Sequence, residues 1–460
     1  MVRSVRALVA TATLALAAVA LAPAGQADSP PGSQPYPGYT ISAPALKPLV
    51  VDGQRTRVVQ GVRKHAAYDI EIPRDWNGQL VMWAHGYRGN GSTLSVDVPS
   101  FGLRRTFLEH GYAWAASSYA RNGYDVASGI TTTYDLARYA ALRLPRQPER
   151  TYVAGASMGG HVIGRSLEQY PRFYAGAMPM CGVLGDHQLF DWFLSYNLVA
   201  QDLADHPAAY PPRPDYLTAD VPAIEKALGI ATLTPGGPDT TNARGAQLRD
   251  VATRLTGGER PGADQAFAYW KDFPFTLYQV DNGGSLAENP GRLAQNLDTD
   301  YRPNRPARVN RTVQRVAPRD AASRTTNRLT QVPTIQGRPD VPVLSLHGLG
   351  DYYVPFDEEQ IYARDVAANH QQSLLVQRAI REAGHCEFTP TEAARGFADL
   401  TRWVESRDAK GPVLRPEGDD VLKPAAVADP SYGCRFTDPA AYDDPKAYPT
   451  RSLYPRCPAG

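Results

Sequence analysis

Charge of one sign is missing from this sequence. Its 48 Lys and Arg face 47 Asp and Glu, a formal net charge of +1 at pH 7 across 460 residues. With no strongly basic run to localise it, that balance argues against nucleic acid or an anionic membrane surface as the main partner. Metal-ligand spacing is missing too: neither CxxC nor HExxH occurs, so no metal centre is expected. No internal repeat is found, and cysteine is sparse at four.

A long apolar run is also absent where a membrane span would need one. Residues 7–21 are apolar, but the run is short for a span and Pro23 and Gly25 break it. Arg3 and Arg6 precede it, and the small residues of "APAGQAD" follow. That pattern predicts a signal peptide over 1–27, cleaved near Ala27, and an exported (secreted, extracellular) protein with no membrane anchor afterwards. Residues 28–48, rich in Pro, Gly and Ser, are expected to form a flexible lead-in.

What is present fits a globular protein: 43% hydrophobic and 21% charged residues, in a chain long enough for one large domain with an insertion, or two domains. The cysteines, Cys181, Cys386, Cys434 and Cys457, suit an oxidising compartment and allow three pairings. Cys434 and Cys457 share a Pro-rich tail with little core of its own, and pairing them leaves Cys181 with Cys386.

Buried-strand patterns recur at 79–86, 112–119, 151–157, 174–182, 341–348 and 373–380, with helix-like segments at 131–144, 159–170, 357–371 and 389–405. Strands alternating with helices predict an α/β fold, a mostly parallel doubly wound sheet covered on both faces. Function then belongs at the carboxyl ends of the strands. Residues 186–335 break the rhythm. They carry apolar residues at helical spacing and no convincing strand, which predicts a mainly helical insertion of about 150 residues. Its aromatic residues are expected to form mostly its own core, with a few walling a pocket. Residues 408–460 read as an irregular tail stapled by a disulfide.

Within "TYVAGASMGGHVIG" (151–164), Ser157 sits in G-x-S-x-G between a strand pattern and a helix pattern. A serine on such a sharp strand-to-helix turn has its hydroxyl lifted above the sheet, at the N-terminus of a helix. It becomes a nucleophile only when a base takes its proton. In a fold of this kind the acid and then the base follow the serine in the chain. Of nine histidines, His385 in "REAGHCEF" lies on a glycine-led loop just after the last strand and is the predicted base. Asp351 in "LHGLGDYYVP" is the predicted acid, with Asp186 as competitor and Asp357 expected to cap the next helix. The oxyanion requires two N–H donors. Met158 supplies one and Tyr87, in the glycine-laced loop "WAHGYRGNGS", the other; His85 is then structural.

Together HGYRG, GASMGG, LHGLGDYYVP and AGHCEF, in this order, resemble the α/β-hydrolase superfamily over residues 49–185 and 336–407. The resemblance implies that 186–335 is a cap. Within the superfamily the chain is most similar to secreted bacterial serine esterases, including feruloyl-esterase-like and polyester-depolymerase-like enzymes. In the tannase and feruloyl esterase group a cysteine before the serine bridges to one after the histidine. Here Ala156 precedes Ser157, so that bridge cannot form, and Cys181 is the expected substitute partner of Cys386.

The resulting expectation is a secreted enzyme, a carboxylic ester hydrolase acting through Ser157, His385 and Asp351 on a small or polymeric ester, with no cofactor. A capped aminopeptidase is the alternative. It needs acidic residues to hold a substrate amine, for which the insertion offers Asp191 and Asp202. A binding protein that has kept the fold without the chemistry is the third reading.

Overall fold

The computed structural model describes residues 32–278, 281–302 and 308–457. The signal-peptide segment, 1–27, lies outside the described residues. Eight strands form one sheet: β1 (Arg57–Arg63), β2 (Ala66–Ile72), β3 (Gln79–Ala84), β4 (Ala113–Ser117), β5 (Arg150–Ala156), β6 (Gly176–Met180), β7 (Val343–Gly348) and β8 (Leu375–Ile380). Their order across the sheet is β1-β2-β4-β3-β5-β6-β7-β8. β1, β2 and β4 pair antiparallel; every pairing from β4 to β8 is parallel.

Strand periodicity splits the sheet's side chains between two cores. Leu80, Met82 and Ala84 of β3 pack on one face, with Val126 and Ile130 of α2 (Val126–Ala141) and Val162 and Ile163 of α3 (Met158–Gln169). Val81 and Trp83 point the other way, toward Phe107 of α1 (Leu103–Glu109) and Phe397, Leu400 and Trp403 of the long final helix at Pro390–Asp408. Trp83, Trp114 and Trp403 are among the largest fully buried side chains, and truncating such a residue to alanine costs about 3–5 kcal/mol.

Among the described residues no strand lies between β6 and β7. The interval holds α4 (Gln188–Ala204), α5 (Val221–Leu228), α6 (Ala243–Leu255) and α7 (Ala263–Trp270), with shorter turns of helix. α4 is apolar almost all round and buried over most of its length, as befits the central helix of such an insertion. Phe190, Trp192, Phe193, Tyr196, Phe267, Trp270 and Phe275 are all in the core; Tyr269 is exposed. α8 (Asp357–Ala368) and α9 (Pro390–Asp408) flank β8 in sequence. α9 begins at a capping box, with the Thr389 hydroxyl on the Glu392 N–H and the Glu392 carboxylate on the Thr389 N–H.

Two sequence expectations need correction. Within 28–48, Thr40–Ser42 is a strand paired parallel with Thr93–Ser95, so the lead-in is not wholly free chain. Asp357 opens α8 rather than capping it; Phe356 stands at the N-cap. The β1–β2 hairpin and α1 were not predicted at all. β2 carries Asp69 and Glu71, both buried; Glu71 accepts from Leu49 N, the Thr56 hydroxyl, the Arg104 guanidinium and the Trp114 indole, partners invisible to local pattern.

Candidate active site

The carboxyl ends of β3, β5, β6, β7 and β8 face the same edge, and the residues just beyond them meet there. At β5 the chain turns through Ser157, at φ 59° and ψ −125°, straight into α3. That backbone costs on the order of 1–3 kcal/mol and persists only because its surroundings hold it. Ser157 N donates to Met180 O at 3.0 Å, and Ser157 O accepts from Val183 N at 3.1 Å. The flanking glycines are required sterically: a Cβ on Gly155 or Gly159 would sit 2.3 or 2.2 Å from Ala84 O at the end of β3.

The Ser157 hydroxyl lies 2.9 Å from His385 Nε2, and His385 Nδ1 lies 2.6 Å from Asp351 Oδ2. The carboxylate on Nδ1 holds a proton there and leaves Nε2 free to accept from the serine. Asp351 is fully buried, and its other oxygen accepts from Tyr353 N at 2.8 Å and Val354 N at 3.0 Å. The competitor Asp186 is engaged elsewhere, beside the His187 imidazole and accepting from Ile335 N at 2.8 Å.

The loop after β3 crosses the nucleophile. A Cβ on Gly86 would lie 3.1 Å from Ser157 Cβ and 3.5 Å from its Oγ, so Tyr87 begins beside the hydroxyl. Met158, first in α3, offers one of the N–H groups that a helix start leaves without a carbonyl. His85 anchors this loop. Its Nδ1 donates to Gly86 O at 2.7 Å, and its ring stacks on Tyr119, whose hydroxyl donates to His85 O at 2.9 Å. Burial pushes its pKa down to about 4, so the imidazole stays neutral. Arg88 Nε, paired with Asp97 at 2.8 Å, pins the next residue.

Cys181, the residue after β6, is disulfide-bonded to Cys386, the residue after His385, and Cys434 to Cys457. The first bond ties the histidine loop to the strand end that also holds Ser157 N. Cys181, His385 and Cys386 cluster closely, but both sulfurs are committed to the disulfide and do not form a ligand set.

The insertion reaches the site through indoles. Trp192 Nε1 donates to Tyr352 O at 2.9 Å, beside Asp351, and Trp270 Nε1 donates to Ala383 O, two residues before His385. Aromatic rings run in an arc from Tyr87 through Tyr124, Phe190, Phe193 and Tyr353 to the His385 ring, 4.8 Å from Tyr353. Sequence reasoning missed Tyr353 and the two tryptophans. Only Tyr353 carried a local signal, two residues after the acid. Asp191 and Asp202, the candidates for holding a substrate amine, are otherwise occupied: Asp191 pairs with Arg324 at 2.8 Å, and Asp202 accepts from the Thr312 hydroxyl at 2.9 Å.

The strand order, the strained serine after β5, and the aspartate and histidine after β7 and β8 define the α/β-hydrolase fold with a helical cap inserted between β6 and β7. No family model matches the chain. The o-phthalyl amidase of Xanthobacter agilis is 29% identical over 100 residues, 22% of this chain and 21% of that one, so the match spans about a fifth of that relative's length. An esterase from Aspergillus oryzae superposes with a TM-score of 0.42 at 13% identity, covering 74% of this chain and 77% of that chain. Feruloyl esterase B from Aspergillus oryzae gives 0.43 at 15%, covering 77% and 79%.

Proposed function

We propose that the protein is a serine hydrolase that cleaves carboxylic esters through an acyl-enzyme. The observation that carries this reading is the continuous relay from the Ser157 hydroxyl through both ring nitrogens of His385 to the buried Asp351 carboxylate. His385 takes the serine proton as Oγ attacks the ester carbonyl. The Tyr87 and Met158 N–H groups receive the oxyanion, a role in which one donor is worth on the order of 10²–10³ in rate. The alcohol leaves with the proton from His385. Water, activated by the same nitrogen, then releases the acid and restores Ser157. Asp351 stays ionised throughout, holding the tautomer and stabilising the imidazolium.

An amide is the second substrate class, favoured by the stretch of identity with a phthalyl amidase. The same relay serves both. The aromatic arc beside His385 favours an apolar or aromatic group on either substrate. The two disulfides support an exported protein, which N-terminal sequencing of the mature chain, starting near residue 28, would bear out.

The test is hydrolysis of p-nitrophenyl esters from acetyl to long acyl chains by the wild type and Ser157→Ala. The wild type should turn over, and the variant should lose at least ~100-fold. Turnover of anilides and of no ester would replace the ester reading with the amide one. Unchanged turnover in Ser157→Ala would overturn both.

A further inference from the structure

The histidine loop, residues 381–387, has no regular structure of its own, and the C-terminal segment does much of the holding. Ala383 N and Gly384 N both donate to Thr450 Oγ1, each at 2.9 Å. Arg381 N donates to Thr437 Oγ1 at 2.9 Å, and the buried Arg381 guanidinium donates to the carbonyls of Tyr432 and Pro455 at 2.9 and 3.1 Å. Glu382 O is a junction. It accepts from Gly350 N, the residue before Asp351, at 2.9 Å, and from the Tyr454 hydroxyl at 3.1 Å. The acid loop and the histidine loop therefore meet at one carbonyl, and a tail residue closes that meeting point.

These contacts are buried and internally braced. Thr450 and Arg451 are at most 1% exposed, and Arg451 pairs with both oxygens of Glu392 at 2.9 and 2.8 Å, anchoring the tail to the first turn of α9. Cys434 and Cys457 bracket Thr437, Thr450, Arg451 and Tyr454 in one closed loop.

We propose that Thr450 is a positioning residue for His385: by accepting from the two N–H groups just before it, Thr450 Oγ1 sets the imidazole between Ser157 and Asp351. Without that oxygen two buried donors lose their partner, and the 383–384 peptide must turn to find another. A displacement of about 1 Å at the ring is enough to cost on the order of 10²-fold in rate. The turnover part of the argument rests on the serine hydrolase reading; the geometric part does not.

The experiment compares Thr450→Val, which removes the acceptor at nearly equal volume, with Thr450→Ser, which keeps it. One readout is the far-downfield proton resonance of the His385 Nδ1–H on Asp351, which needs no substrate. The other is kcat and KM per phosphonate-titrated site. Thr450→Val should lose or shift the resonance and drop kcat ~10- to 100-fold with KM within about twofold, while Thr450→Ser retains both. Thr450→Ala, which removes the same acceptor without placing a new methyl beside the two N–H groups, provides a second reading if Thr450→Val does not fold, and should show the same loss. The proposal is overturned if Thr450→Val, or Thr450→Ala in its place, matches the wild type in both readouts, or if Val and Ser fall alike. A wild type that shows the resonance, shifted in Thr450→Val, but cleaves no ester or amide would retain the positioning role and remove the hydrolase reading.

Discussion

Replacing Gly159 by alanine tests whether the strained serine really depends on contact with β3. The added methyl would stand 2.2 Å from Ala84 O and 2.8 Å from Ala84 C, both backbone atoms at the end of a central strand. Ordinary contact begins near 3.4 Å, so the turn and the strand must part by about 1 Å. Neither neighbour has a flexible side-chain end to swing aside. Overpacking of this kind costs about 1–3 kcal/mol of stability. A shift of that size between Ser157 and the loop carrying Tyr87 should also reduce kcat by about 10²-fold. The assay is ester turnover per folded molecule, with urea unfolding in parallel and Gly91→Ala as control, since a Cβ there meets nothing within 4 Å. If Gly159→Ala unfolds at the wild-type midpoint and turns over within threefold of it, the packing argument for the motif's second glycine is wrong.

Asp351→Asn keeps the side chain's shape but presents an amide to His385 Nδ1; kcat should fall about 10³–10⁴-fold with folding retained, as steady-state kinetics and circular dichroism would report. Cys181→Ser with Cys386→Ser should destabilise the protein by about 2–4 kcal/mol in denaturant titration. An unchanged midpoint would mean that the strand end and the histidine loop are held together without the bond. Asp419 tests electrostatics away from the site. Burial lifts its carboxyl to about 6, against an N–H bond from Ala379 that pulls the other way. The unfolded chain then ionises first, so stability falls as pH rises from about 4 to about 6 and is level above that. Asp419→Asn should flatten this slope in pH-dependent melting curves; a slope left intact assigns it to other groups.

Much of the candidate site's geometry was legible because close backbone approaches and loops after strands leave local signals. The glycines around Ser157 mark a close backbone approach, the glycine before His385 marks a loop after a strand, and chain order selects Asp351 over Asp186. The helical insertion was legible from periodicity alone. The supports were not. Glu71, Arg381 and Arg451 are charged residues with almost no exposure, hydrogen-bonded to partners many residues away, and a local pattern assigns such residues to the surface. Thr450 and Trp270 act through contacts 66 and 113 residues distant in sequence, and neither stands in a motif. Residues 408–460 read as an irregular tail; the described part, 409–457, holds only short helical turns, at Pro424–Val427, Pro439–Asp443 and Arg451–Leu453, and what the sequence could not convey is that this segment clasps the histidine loop.

The splice between β6 and β7 also has a consequence in time. Met180 and Leu346 are register partners in neighbouring strands, yet the whole insertion is made between them. Pairing β6 with β7 therefore requires closing a loop of about 160 residues, the slowest kind of contact for a folding chain to make. Until that loop closes, the unpaired N–H and C=O groups along β6 form an open template for wrong strands. The β6–β7 seam is where misassembly during folding should concentrate.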